Sequence, residues 1–72
     1  MSEESITPIA EFPAPFSKHI RVQEVTYDNG FRLLRVHIRE GKRFTTLDLD
    51  TDTAQKWGEL MLHWVEGHPP TV

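Results

Sequence analysis

Asp28-Asn29-Gly30 separates two runs of alternating apolar and polar residues, 19–27 and 31–39, and this arrangement limits the fold more tightly than any other feature of the chain. Asn and Gly tolerate positive φ, so the segment predicts a tight turn between two antiparallel strands. The register follows from the faces that each turn would build. A two-residue Asn29-Gly30 turn pairs Asp28 with Phe31 and sets Arg21, Gln23 and Arg32 on one face with Val36 and Ile38. A three-residue turn pairs Tyr27 with Phe31 and brings Ile20 opposite Ile38, Val22 opposite Val36 and Glu24 opposite Leu34. The second choice segregates polar from apolar side chains. Since a slip of one residue inverts a whole strand, it is the expected register.

Glu40-Gly41 marks the next turn, with Arg39 expected opposite Lys42, Val36 beside Thr45 and Leu34 beside Leu47. The core face is then Ile20, Val22, Leu34, Val36, Ile38, Thr45, Leu47 and Leu49. Asp52, with Gln55 three residues on, has the form of a capping box, and the carboxylates of Asp50 and Asp52 suit the positive end of a helix. Ala54, Trp57, Gly58, Met61, Trp64 and Val65 then recur at helical spacing. Gly67 is the expected C-cap, and Pro69-Pro70 forbids continuation. The sequence therefore predicts a helix over about 52–66, its Trp/Met stripe covering the core face. A Trp57→Ala change in such a core is expected to cost about 3–5 kcal/mol.

Pro8, Pro13 and Pro15 punctuate the first residues, and proline resists both helices and central strands. Residues 1–18 are accordingly expected to be an extended, polyproline-like arm, disordered over 1–8, with Phe12 and Phe16 seeking burial on their own domain or on a neighbour. The expected fold class is α+β: a three-stranded antiparallel β-meander with one C-terminal helix packed on one face (β-β-β-α). The Pro-rich arm of residues 1–18 precedes a domain of residues 19–67, and residues 68–72 form a tail.

With 72 residues the chain allows one domain, and a domain of this size buries only about 60% of its extended-chain surface. Small domains compensate with disulfides, metals or partners. No Cys is present, which excludes disulfides and thiolate metal sites and leaves oligomerisation open. The acidic start, Met1-Ser2-Glu3-Glu4, lacks the layout of a signal peptide, and no apolar run reaches membrane-spanning length, so a cytoplasmic protein without membrane contact is expected. Charge is unevenly placed: net −3 over residues 1–17, +4 over 18–43 and −4 over 44–72. This pattern implies either pairing within the fold or a basic face for an acidic partner.

One helix covers one face of a sheet. The other face carries Val25, Tyr27, Phe31 and Leu33 at an apolar, aromatic end, and His19, Arg21, Arg35, His37 and Arg39 at a cationic end beside Phe44. Three uses follow: cover by the Phe12/Phe16 arm, self-association about a two-fold axis, or binding of another partner. The candidate partner-binding residues are Arg21, Tyr27, Phe31, Arg35, His37 and Phe44. A sheet followed by one C-terminal helix, with a basic sheet face, also resembles at topology level the PC4-type architecture that binds single-stranded DNA. The likeness covers residues 19–66, and one strand of that architecture is missing unless the arm supplies it. Read from the face itself, single-strand binding would have Arg21, Arg35 and Arg39 meet phosphates while Tyr27, Phe31 and Phe44 stack bases.

Catalytic signals are weak. His63 and His68 are poorly spaced for one helical metal site, and His19 and His37 lack a convergent third ligand. The alternation of Asp48, Asp50 and Asp52 is explained by solvation and helix capping. No Cys nucleophile exists, Ser2, Ser5 and Ser17 fall in the arm, and no glycine-rich phosphate loop is present. No cofactor, metal or catalytic residue is assigned. The expected function is a small non-catalytic interaction module, an accessory or regulatory protein that self-associates as a homodimer, or binds another protein, through the helix-free sheet face. Single-stranded nucleic-acid binding by the same face is the alternative.

Overall fold

The computed structural model describes residues 4–68. Four strands precede one helix: β1 (Glu4–Ala14), β2 (Lys18–Tyr27), β3 (Arg32–Glu40), β4 (Arg43–Leu49) and α1 (Thr51–Gly67). The strands form one antiparallel sheet in the order β1-β2-β3-β4.

The three-stranded expectation is therefore corrected to four, because the proline-rich segment is a strand and not an arm. β1 lies at the sheet edge, where a missing backbone N–H leaves no central ladder unsatisfied, so Pro8 and Pro13 are tolerated. A bulge between Pro8 and Ala10 interrupts its pairing with β2. The bulge switches side-chain parity. Ile6 pairs with Val25 on one face of the sheet, while Phe12, six residues on, pairs with Ile20 on the other. A regular strand would have put both on the same face. Expected disorder over residues 1–8 meets a strand from Glu4 onward, and residues 1–3 and 69–72 lie outside the described residues.

Pro15-Phe16-Ser17 turns β1 into β2. Phe16 and Ser17 sit at φ 65° and 60°, a left-handed conformation that costs a residue with a side chain about 1–2 kcal/mol. Phe16 is 88% exposed at this tip, and Lys18 Nζ lies 5.5 Å from its ring centroid.

The first sequence-predicted hairpin forms in the expected register. Ile20 faces Ile38, Val22 faces Val36 and Glu24 faces Leu34. Tyr27 N–H donates to the Phe31 carbonyl at 2.9 Å, and Gly30 adopts φ 85°. The second hairpin is shifted by two residues from expectation. Glu40 pairs with Arg43, and Gly41 at φ 61° opens the intervening turn. Val36 therefore faces Leu47, Leu34 faces Leu49, and Phe44 faces Arg39. An even shift preserves parity, so the faces remain as expected although the neighbours change.

Asp50, not Asp52, caps α1. Its side chain accepts the Thr53 N–H at 2.8 Å, and Asp52 occupies the first turn, where its charge suits the helix N-terminus. Gly67 is still helical and does not act as a left-handed cap. The chain stops at His68, whose N–H donates to the Val65 carbonyl at 3.0 Å.

The largest departure concerns the core. α1 approaches the sheet mainly at β3 and leaves its apolar stripe open. Trp57 is 39% exposed, and Leu60, Met61 and Trp64 are each more than half exposed. The expectation of a helix packed down by a buried Trp57 is thus corrected, and with it the large cost assigned to Trp57→Ala within a single chain. Only Val25 and Val36 are buried among the described residues. The Cα radius of gyration is 14.4 Å, against about 11 Å for a compact domain of this length.

Candidate functional site

The two faces of the sheet differ in chemistry, and pairing fixes which residues share each face. On the helix-free side, β2 presents His19, Arg21, Gln23, Val25 and Tyr27. Opposite them β3 presents Arg39, His37, Arg35 and Leu33, and β4 adds Phe44, Thr46 and Asp48 opposite Arg39, His37 and Arg35. All of the sequence-predicted binding residues in strands, Arg21, Tyr27, Arg35, His37 and Phe44, lie on this face. Phe31 precedes β3, and its ring stacks on Tyr27 at 6.1 Å between centroids.

These charges are extensively paired across the strands. Arg35 makes a bidentate pair with Asp48, Nε donating to Oδ1 at 2.8 Å and Nη2 to Oδ2 at 3.0 Å. It also reaches Glu4 of β1 at 3.5 Å. A side chain on β3 that touches both β4 and β1 must cross β2, and the apolar trio Ile6, Val25 and Leu33 occupies three adjacent strands there. Val25 is consequently 0% exposed on a face that has no helix. His37 Nε2–H donates to Gln23 Oε1 at 3.0 Å, and the Thr46 hydroxyl donates to Nδ1 at 3.1 Å, the assignment that the Gln23 acceptor requires. His19 Nε2–H donates to Glu11 Oε1 at 2.6 Å, and Arg21 lies 3.8 Å from the same oxygen. Sequence reasoning missed Glu4 and Glu11 as partners because both fell in the supposed arm.

The geometry sets the ionisation of three carboxyls. The hydrogen bond from His19 holds Glu11 below its ordinary 4.5, with the charge of Arg21 acting in the same direction. The Arg35 pair holds Asp48 below 3.8, and donation from Thr53 holds Asp50 below 3.8. The Arg35 guanidinium is raised in turn, chiefly by its hydrogen bonds to Asp48. A carboxyl whose pKa is lower in the folded state stabilises the fold fully above its unfolded value and loses that contribution as pH falls through the folded one. The contribution of these three carboxyls to stability is therefore expected to be full above about pH 5 and to decline below about pH 4. Urea midpoints measured across this range check the expectation, with Asp48→Asn giving a shallower decline. A midpoint that rises on acidification would contradict it.

The helix side carries no comparable polar network. Phe12 and Ala14 of β1, Ile20 and Val22 of β2, Leu34, Val36 and Ile38 of β3, and Leu49 of β4 line one wall of an open groove of about 490 Å³. Ala54, Trp57, Gly58 and Met61 of α1 line the other. Beyond the groove, Leu60, Trp64 and Val65 continue the apolar ridge of the helix. Two ion pairs stand at the edges of this side, Lys18 with Glu40 at 3.3 Å and Arg32 with Glu24 at 3.8 Å. At the helix end, His68 stacks on Trp64 with 4.2 Å between ring centroids.

Among the described residues, no group of three His, Asp or Glu converges to hold a metal ion, and no helix is long and apolar enough to cross a membrane. No curated protein and no solved structure matches the chain. The sequence profile of one family does match, over residues 3–67, a span that takes in all four strands and the helix: the chain belongs to the family of unknown function DUF6967.

Proposed function

We propose that this protein is a self-associating interaction module, an accessory or regulatory protein whose folded unit is a homodimer joined through the helix side of the sheet. The observation that carries this reading is the open apolar groove and the ridge beside it, with only Val25 and Val36 buried among the described residues. The chain exposes 6249 Å², whereas a compact monomer of 8.4 kDa exposes about 4,600 Å². The excess is roughly 1,600 Å², less the share of the chain termini, and lies in the range that an obligate dimer removes from each protomer.

A second copy suits this surface for two reasons. A two-fold interface needs a patch complementary to itself. Here an apolar groove between the sheet and α1 adjoins the exposed apolar residues Leu60, Trp64 and Val65 of the helix, so each protomer offers both a groove and side chains to enter its partner's. The edge charges are also paired within the chain, Lys18 with Glu40 and Arg32 with Glu24, so the patch has little need of a strongly charged partner. On the helix-free face, by contrast, Arg35, Asp48, His37 and Gln23 already bond to one another. The self-association expected from the sequence is therefore assigned to the helix side.

A dimer held together this way couples dissociation to unfolding. The thermal midpoint is expected to rise with protein concentration, by mass action. A midpoint unchanged over about a hundredfold range of concentration would contradict the proposal.

A further inference from the structure

The helix-free face holds a small recess of about 120 Å³, lined by His19, Arg21, His37, Arg39 and Phe44. His19 stands opposite Arg39 and Arg21 opposite His37 across β2 and β3, and Phe44 stands opposite Arg39 on β4. Among the described residues, the carboxylate in ion-pair reach of this cluster is Glu11, 2.6 Å from His19 and 3.8 Å from Arg21. Arg39 makes no ion pair or hydrogen bond through its side chain among the described residues. Arg35, on the same face, receives two carboxylates, Asp48 at 2.8 Å and Glu4 at 3.5 Å. The fold thus pairs Arg35 with two carboxylates and Arg21 with one, while Arg39, in the recess, feels the Glu11 charge only from beyond ion-pair distance.

We propose that this recess binds a small oxyanion, specifically a phosphate group, held between the guanidinium forks of Arg21 and Arg39. Planar guanidinium groups match phosphate oxygens with two parallel hydrogen bonds each. His37 is a positioning residue, since both its ring nitrogens are occupied by Gln23 and Thr46 and its ring forms a fixed wall. Phe44, 74% exposed, gives the recess an apolar side suited to the organic part of a phosphate ester. The site faces away from the helix groove and stays open in a dimer joined through the helix side, so its success or failure is independent of that assembly.

The test uses the ¹⁵N-labelled full chain, titrated with inorganic phosphate and with phenyl phosphate at constant ionic strength. Saturable shifts are expected at His19, Arg21 and Arg39. Arg39→Gln should weaken binding by about tenfold or more, the loss expected for hydrogen bonds to a charged group. Lys42→Gln, the same charge change outside the recess, should alter it by less than about twofold. The exposed position of Arg39 spares the fold, and Arg21→Gln repeats the test from the other fork. Tighter binding of phenyl phosphate than of inorganic phosphate identifies an ester as the ligand class, and equal binding identifies the free anion. Shifts that never saturate, or an equal loss with Lys42→Gln, would overturn the proposal.

Discussion

Replacing Met61 and Trp64 together with Glu is expected to turn the proposed dimer into a monomer. Both side chains are more than half exposed within one chain, so neither holds the isolated protomer together, and glutamate is a good helix former at these positions. Their large effect arises in the assembly, where two protomers would each bring two charges into an apolar contact. Large apolar anchors at the centre of an interface contribute about 2 kcal/mol or more apiece, so losing Met61 and Trp64 together should weaken the dimer by about a thousandfold. The matching control lies on the other side of the sheet. Phe31→Ser with Phe44→Ser removes two exposed aromatics from the helix-free face and is expected to leave the dimer intact. Sedimentation of both variants decides between the faces. If the serine variant dissociates and the glutamate variant does not, the assembly surface is the helix-free face. If neither dissociates, the contact runs through the free edge of β4, which lacks the prolines and the bulge that blunt β1.

Val25→Asp is expected to unfold the chain. Among the described residues, Val25 is the one fully buried side chain, held between Ile6 of β1 and Leu33 of β3, on the face that Arg35 crosses to reach Glu4. An uncompensated carboxylate there costs several kcal/mol, against a total of roughly 4–11 kcal/mol for a domain of this length. Val25→Ala should cost about 1–3 kcal/mol by deleting two methyl groups from the same site. Urea unfolding followed by far-ultraviolet circular dichroism measures both. A Val25→Asp chain with native stability would mean that the helix-free face is not closed over this residue.

The importance of Val25 also marks where the sequence was legible. Its strand, its turn and its register follow from Asp28-Asn29-Gly30 and from the alternation on either side, because one-residue slips mix polar with apolar groups and are self-penalising. Two-residue slips carry no such penalty. That is why the second hairpin, closing at Glu40–Arg43 and not at Arg39–Lys42, kept its faces but changed its neighbours, moving Phe44 from His37 to Arg39. β1 was hidden for a related reason. Pro8 and Pro13 resemble an arm, and the bulge beside Ile9 breaks the alternation that would reveal a strand. With β1 unseen, Ile6 could not be placed over Val25, nor Glu4 and Glu11 beside the arginines, so the open face looked more cationic than it is. The helix start was ambiguous because Asp50 and Asp52 both precede the apolar stripe, and backbone geometry chose the first. The stripe itself, Trp57, Met61, Trp64 and Val65, was plain from its spacing. Spacing reports that a face is apolar but not which molecule covers it, and here the covering surface is assigned to a second copy.

Sedimentation equilibrium of the native chain at several loading concentrations tests the central claim most directly. At roughly 10 μM and above, the expected mass is twice the 8.4 kDa of one chain, falling toward a single chain only where dilution also lowers the helical signal. A single-chain mass at every concentration, from a sample that still unfolds cooperatively, would contradict the homodimer and leave the helix groove to a different partner.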